Sequence, residues 1–105
     1  MIVKKEEARK RTFYGVDFVL LAHGPKSLVT KMLYKETDIV PPHAHPNEQS
    51  GYVISRKYRI TFFNYDQLLE AGDTYTIPAN VENSIEIIIP GEVVDFFTPP
   101  RQDYL

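Results

Sequence analysis

The sequence predicts an all-β fold, a sandwich or barrel of short antiparallel strands. Short runs rich in Val, Ile, Tyr, Phe and Thr recur along the chain, separated by turn residues at regular spacing. Gly24-Pro25, Pro41-Pro42, Gly72-Asp73, Pro90-Gly91 and Pro99-Pro100 break any long regular element. No stretch of useful length places apolar residues at helical spacing.

Residues 12–21 are rich in Phe, Tyr, Val and Leu and read as one strand, which stops at His23-Gly24-Pro25. His23 reads as a turn residue. Residues 27–34 alternate, with Leu28, Thr30 and Met32 on one side and Val29, Lys31 and Leu33 on the other. Pro41-Pro42 excludes a helix, because proline lacks the amide donor and restricts the residue before it. Residues 51–55 and 58–63 read as the next extended pair, and Asn64-Tyr65-Asp66 as a hairpin turn. Ala71-Gly72-Asp73 turns into a strand over residues 74–77. Residues 82–89 form another, with Ile85, Ile87 and Ile89 on one face and Glu86 opposite. Pro90-Gly91 turns into a last strand over residues 93–97, closed by Pro99-Pro100.

A chain of 105 residues fits one domain, residues 1–105, with residues 1–11 as an edge strand or leader. The formal net charge of -2 gives no large basic surface, which argues against a nucleic-acid partner. There is no cysteine, so disulfide and thiol chemistry are excluded and a reducing cytoplasm is compatible. No run approaches the roughly 20 apolar residues that cross a bilayer. The expectation is a cytoplasmic protein with no membrane partner. A core of this size gains from dimerisation. The apolar strand over residues 13–21 is expected to pair across an edge in a homodimer.

The chemistry concentrates in His43-Ala44-His45-Pro46-Asn47-Glu48-Gln49. Alternate side chains of an extended strand point the same way, so His43 and His45 aim two imidazoles at one region. Imidazole is the commonest metal ligand near neutral pH, and Gln49 supplies a third donor. Glu48 falls on the opposite face unless Pro46-Asn47 bulges the chain. Asn83 shares a face with Ile85 and Ile87. Near the C-terminus, Asp95 lies between Val93 and Phe97 on one strand face. A carboxylate among apolar neighbours needs a partner, and Arg101, after the proline turn, is the expected one.

These motifs resemble the cupin superfamily, the small single-domain cupins in particular. Their first motif, paired histidines followed by Glu, Gln or His, is matched by residues 41–49 and then Gly51-Tyr52-Val53-Ile54. Their second motif, Gly-Asp, Ile-Pro and a histidine, is matched by Gly72-Asp73, Ile77-Pro78 and, in the histidine's place, Asn83. Thr37, Arg56 and Phe63-Asn64 stand where that family has glycines, and distorted turns are expected at Arg56 and at Phe63-Asn64. The resemblance implies a double-stranded β-helix, or jelly roll, with a central pocket, commonly dimeric. It implies a divalent transition metal (Zn, Ni, Fe, Mn, Co or Cu) held by His43, His45, Gln49 and Asn83. That set has two imidazoles, two amides and no carboxylate. A vestigial site without metal is the alternative.

The C-terminal segment resembles that of the cupins that linearise unsaturated uronates. The resemblance implies a catalytic set of Asp95, Phe97 and Arg101; a structural Asp95–Arg101 pair explains the same residues. Two functions follow. One is a metal-assisted isomerase or lyase-type enzyme acting on a sugar acid or similar small oxygenated substrate. The other is a non-catalytic cupin that binds a small molecule or a metal.

Overall fold

Ten strands form two facing antiparallel sheets. The computed structural model describes residues 1–105. In chain order the strands are β1 (Arg9–Phe13), β2 (Val16–His23), β3 (Leu28–Leu33), β4 (Ile39–His43), β5 (Glu48–Val53), β6 (Lys57–Phe62), β7 (Tyr65–Glu70), β8 (Thr74–Ile77), β9 (Asn83–Ile89) and β10 (Glu92–Thr98). Short 3-10 turns occupy Lys5–Glu7 and Gln102–Tyr104.

One sheet runs β1-β2-β3-β10-β5-β8 and the other β4-β9-β6-β7. The pairing is nested: β3 with β10, β4 with β9, β5 with β8, and β6 with β7. Successive pairs fall in alternate sheets, as when one long hairpin is rolled into a double-stranded β-helix. The inward sets predicted from alternation fill the space between the sheets. Leu28, Met32, Val93 and Phe97 join a core cluster of 18 buried apolar side chains. No helix is long and apolar enough to cross a membrane.

Three expectations need correction. Residues 12–21 are two strands, because Tyr14-Gly15 makes a tight turn at φ 51° and 77°, pairing Phe13 with Val16. An aromatic at the turn masked it; Gly15 was the signal. The edge strand is therefore β1, which contains residues 9–11, while β2 is flanked on both sides and offers no edge for a partner. The second hairpin turns at Phe63-Asn64 and not at 64–66, since Phe62 pairs directly with Tyr65. Ile89 is exposed, at 45%, while Ile85 is buried; the β6–β9 register shifts between Lys57 and Tyr58 and breaks the alternation.

The missing glycines leave a mark. Arg56 and Phe63 take φ 76° and 51°, a region that costs a side-chain-bearing residue about 1 kcal/mol or more. Phe63 is also exposed. Asparagine tolerates this conformation, so Phe63→Asn is expected to raise stability by about 0.5–1 kcal/mol, read by urea denaturation. A lower midpoint would show that the Phe62–Phe63 contact outweighs the backbone strain.

Candidate functional site

The rolled topology brings the predicted residues to one end of the sandwich. Pro41 and Pro42 lie inside β4, where the pairing with β9 shifts between Val40 and His43. Proline has no N–H for the ladder, so such an irregularity is where it fits. Beyond the shift, His43 pairs with Asn83. In the facing sheet Gln49 pairs with Phe97, and Asp95 with Gly51. His45 sits in the crossover between β4 and β5 and is buried. Glu48 is exposed, on the face opposite Gln49, as alternation predicted.

Both imidazoles are anchored through Nδ1. His43 Nδ1 donates to the Pro41 carbonyl at 2.8 Å, and His45 Nδ1 to the Asn47 carbonyl at 2.9 Å. These bonds assign the proton to Nδ1 and leave a lone pair on each Nε2. The ring centroids are 5.7 Å apart. Burial lowers the pKa of both rings, and the Arg101 charge lowers them further. Asn47 also donates to the Pro99 carbonyl at 2.7 Å, tying the crossover to the C-terminal segment.

His45 Nε2 lies 3.0 Å from Gln49 Oε1. With Nδ1–H committed to Asn47, two acceptors face each other, and either a second ring proton or a metal cation between them satisfies both. Gln49 also acts on Asp95, holding its carboxyl pKa down against the effect of burial. His43 lines the inner cavity with Gln49, whereas His45 reaches Gln49 from the side of the outer groove, its ring centre 5.7 Å from that of His43. Asn83 is engaged differently: its amide nitrogen donates to the His43 and Val81 carbonyls, at 3.2 and 3.1 Å. It braces the backbone under His43 and leaves only Oδ1 for the cavity. No three His, Cys, Asp or Glu side chains gather anywhere, so the donor set contains no carboxylate.

Asp95 is buried, and its partner is Tyr75, whose hydroxyl donates to Oδ1 at 2.5 Å. The predicted Asp95–Arg101 pair does not form. Arg101 instead grips Asp103, through Nε at 3.1 Å and Nη2 at 2.7 Å, and its Nη1 donates to the Tyr104 hydroxyl at 3.0 Å. The guanidinium carbon lies 4.0 to 5.2 Å from the ring centres of Tyr104, Phe13 and Phe97. The 3-10 turn after Arg101 directs it to a carboxylate two residues on, which sequence spacing did not single out. Burial raises the Asp95 carboxyl pKa, against the bonds from Tyr75 and Gln49.

Tyr75 reaches Asp95 by crossing Gly51. The three residues lie side by side on β8, β5 and β10. A Cβ on Gly51 would fall 2.1 Å from the Tyr75 ring, so glycine alone lets the phenol pass. Tyr75 was not foreseen. Its signal was parity: Thr74 and Thr76 point outward, so Tyr75 points in, and a buried tyrosine needs a partner for its hydroxyl.

These side chains enclose a cavity of about 20 Å³, lined by His43, Gln49, Asn83, Asp95, Phe97 and Arg101 among others. Phe13 and Tyr104 line it as well. On the far side of Arg101 lies an open groove of about 730 Å³, lined by His45, Asn47 and Asp103 among others.

No family model and no curated protein matches the sequence. Solved structures do. An RmlC-like cupin from Shewanella frigidimarina NCIMB 400 superposes with a TM-score of 0.90 at 21% identity, over 99% of this chain and 95% of the other. KdgF from Halomonas sp. gives 0.89 at 22% identity, over 100% of both chains. A variant of Streptomyces PAC13 with uridine gives 0.80 at 16% identity, over 98% and 84%. At these identities the likeness is one of fold, and it agrees with the nested strand pairing and with both sequence motifs: the chain has the cupin fold.

Proposed function

We propose that the protein is a metal-assisted enzyme of the isomerase or lyase type acting on a small sugar acid. One observation carries this reading: a buried carboxyl, Asp95, its pKa raised by burial and its position held by Tyr75, faces the same cavity as His43, Gln49 and Arg101. Charge buried beside a cavity is costly as structure and useful as chemistry. The full-length match to KdgF and the resemblance of the C-terminal segment to uronate-linearising cupins support it.

His43, His45 and Gln49 hold the metal, with Asn83 Oδ1 as the remaining oxygen facing the cavity. A bound divalent ion supplies Lewis acidity toward a hydroxyl or carbonyl oxygen. Asp95 accepts a proton from a substrate hydroxyl and returns one elsewhere on the ring, as opening of an unsaturated uronate requires. Arg101 binds the substrate carboxylate, and Phe97 shapes the wall. The small volume of the cavity favours a second reading, a cupin that holds a metal or small molecule without turnover. We further propose that it acts as a homodimer, tested by sedimentation at micromolar concentration.

Elemental analysis after reconstitution separates the two main readings from a metal-free site. Less than about 0.1 ion per chain removes metal-assisted catalysis. With metal bound, a panel of unsaturated uronates followed by NMR decides between turnover and binding. His43→Ala and His45→Ala are each expected to weaken metal affinity by at least about tenfold, measured against a chromophoric chelator. Protons compete for Nε2, so affinity falls with falling pH. Because burial lowers both imidazole pKa values, the fall begins below the ordinary histidine value of 6.5. Affinity independent of pH down to that of a carboxylate would exclude the imidazoles as ligands.

A further inference from the structure

The guanidinium of Arg101 is already held by a carboxylate of its own turn. Asp103 takes the Nε and Nη2 donors together, the parallel pair that a free carboxylate uses. The two partners differ in setting: the Arg101 side chain is 5% exposed and that of Asp103 is 55% exposed. Arg101 lines both the inner cavity and the outer groove, while Asp103 lines the groove alone. While Arg101 stays in place, the inner space of about 20 Å³ accommodates about one water molecule, and a sugar ring reaches Asp95 only when Arg101 yields. Arg101 is thus the partition between the two spaces, and Asp103 fixes it in place.

We propose that Asp103 is an internal competitor for the carboxylate of the ligand, occupying the Arg101 fork until a small carboxylic acid displaces it. This rests on Arg101 being the carboxylate holder, as read above, and adds the residue that sets affinity and selectivity. The exchange replaces one charge-assisted pair by another, so no guanidinium is left unpaired at any stage. The displaced Asp103 returns to solvent, where half of its side chain already lies. A neutral sugar has no charge with which to compete for the fork, so the contact selects for acids.

Isothermal titration of the full chain tests this with sodium D-galacturonate and, as the neutral counterpart, D-galactose. The proteins are wild type, Asp103→Asn, Arg101→Gln and the double variant. Asp103→Asn is expected to tighten galacturonate binding by about five- to tenfold and to leave galactose unchanged. The gain disappears in the double variant. Equal galacturonate affinity in wild type and Asp103→Asn overturns the competition, and leaves Arg101 as the holder if Arg101→Gln weakens binding in both backgrounds. An equal gain for galactose also overturns it, because loosening of the turn then explains the change. Galacturonate binding unmoved by Arg101→Gln, or absent from every protein, removes the reading of Arg101 and the competition with it. Thermal melting checks that each variant is folded.

Discussion

Replacing Gly51 by alanine is expected to destabilise the protein by about 2–4 kcal/mol, a fall in melting temperature on the order of 10–20 °C. The added Cβ would sit 2.1 Å from the Tyr75 ring, well inside any real contact. Tyr75 is 9% exposed and its ring packs in the core cluster, so it cannot yield without displacing neighbours. If it swings away, its hydroxyl leaves Asp95, and a buried carboxyl loses its closest donor at a cost of about 1–3 kcal/mol. Both effects come from one crossing of side chains, so they are not additive with removal of the phenol. The Gly51→Ala, Tyr75→Ala cycle is expected to show a coupling of at least about 1 kcal/mol, measured by chemical denaturation. Additive effects would mean that Tyr75 has another way past β5.

Asp95→Asn is expected to act in opposite directions on stability and on turnover. Burial is the leading cause of the raised Asp95 pKa, so the folded chain favours the protonated acid. The unfolded chain releases that proton near the ordinary value of 3.8. Over the window above 3.8 the folded state binds the extra proton. The stability it confers is full below that value and is lost as pH rises through the raised folded value. Asparagine carries no charge to desolvate and still presents an oxygen to the Tyr75 hydroxyl. The variant is therefore expected to exceed wild type at pH 8 by on the order of 1 kcal/mol, with the gap closing toward pH 4. Turnover of a uronate substrate falls by about 10²–10⁴-fold, the usual contribution of a positioned acid or base. A variant less stable than wild type at pH 8 would show that the bonds from Tyr75 and Gln49 outweigh desolvation, making Asp95 a structural residue. Unchanged turnover would remove it from the mechanism whatever its stability.

The two expectations meet at one constellation. Gly51 admits Tyr75, Tyr75 positions Asp95, and Gln49, which also acts on the Asp95 carboxyl, turns its oxygen to His45. A disturbance at Gly51 therefore reaches the imidazoles through side chains of the same sheet. The Arg101–Asp103 pair lies outside this chain of contacts, held by the C-terminal turn and by the rings around it. Stability and the proposed metal binding should thus respond to Gly51 and Tyr75, while the proposed selectivity for acids should respond to Asp103.

The sequence by itself determined which side chains face inward. Leu28, Thr30 and Met32 on β3, and Val93, Asp95 and Phe97 on β10, are buried as their alternation required. Pleating makes that a property of neighbours two residues apart. The cupin fold was legible from two motifs at the right separation; of the four residues expected to converge, His43, Gln49 and Asn83 line one cavity, while His45 lines the outer groove. Only the tertiary structure decided who bonds to whom. Asp95 takes Tyr75, 20 residues away, because the β10-β5-β8 register sets both beside a glycine. Arg101 takes Asp103 because the chain coils into a 3-10 turn and brings a residue two positions on within reach. Register between distant strands and the sense of a turn come from the packing of the whole sheet, and local pattern carries no record of either.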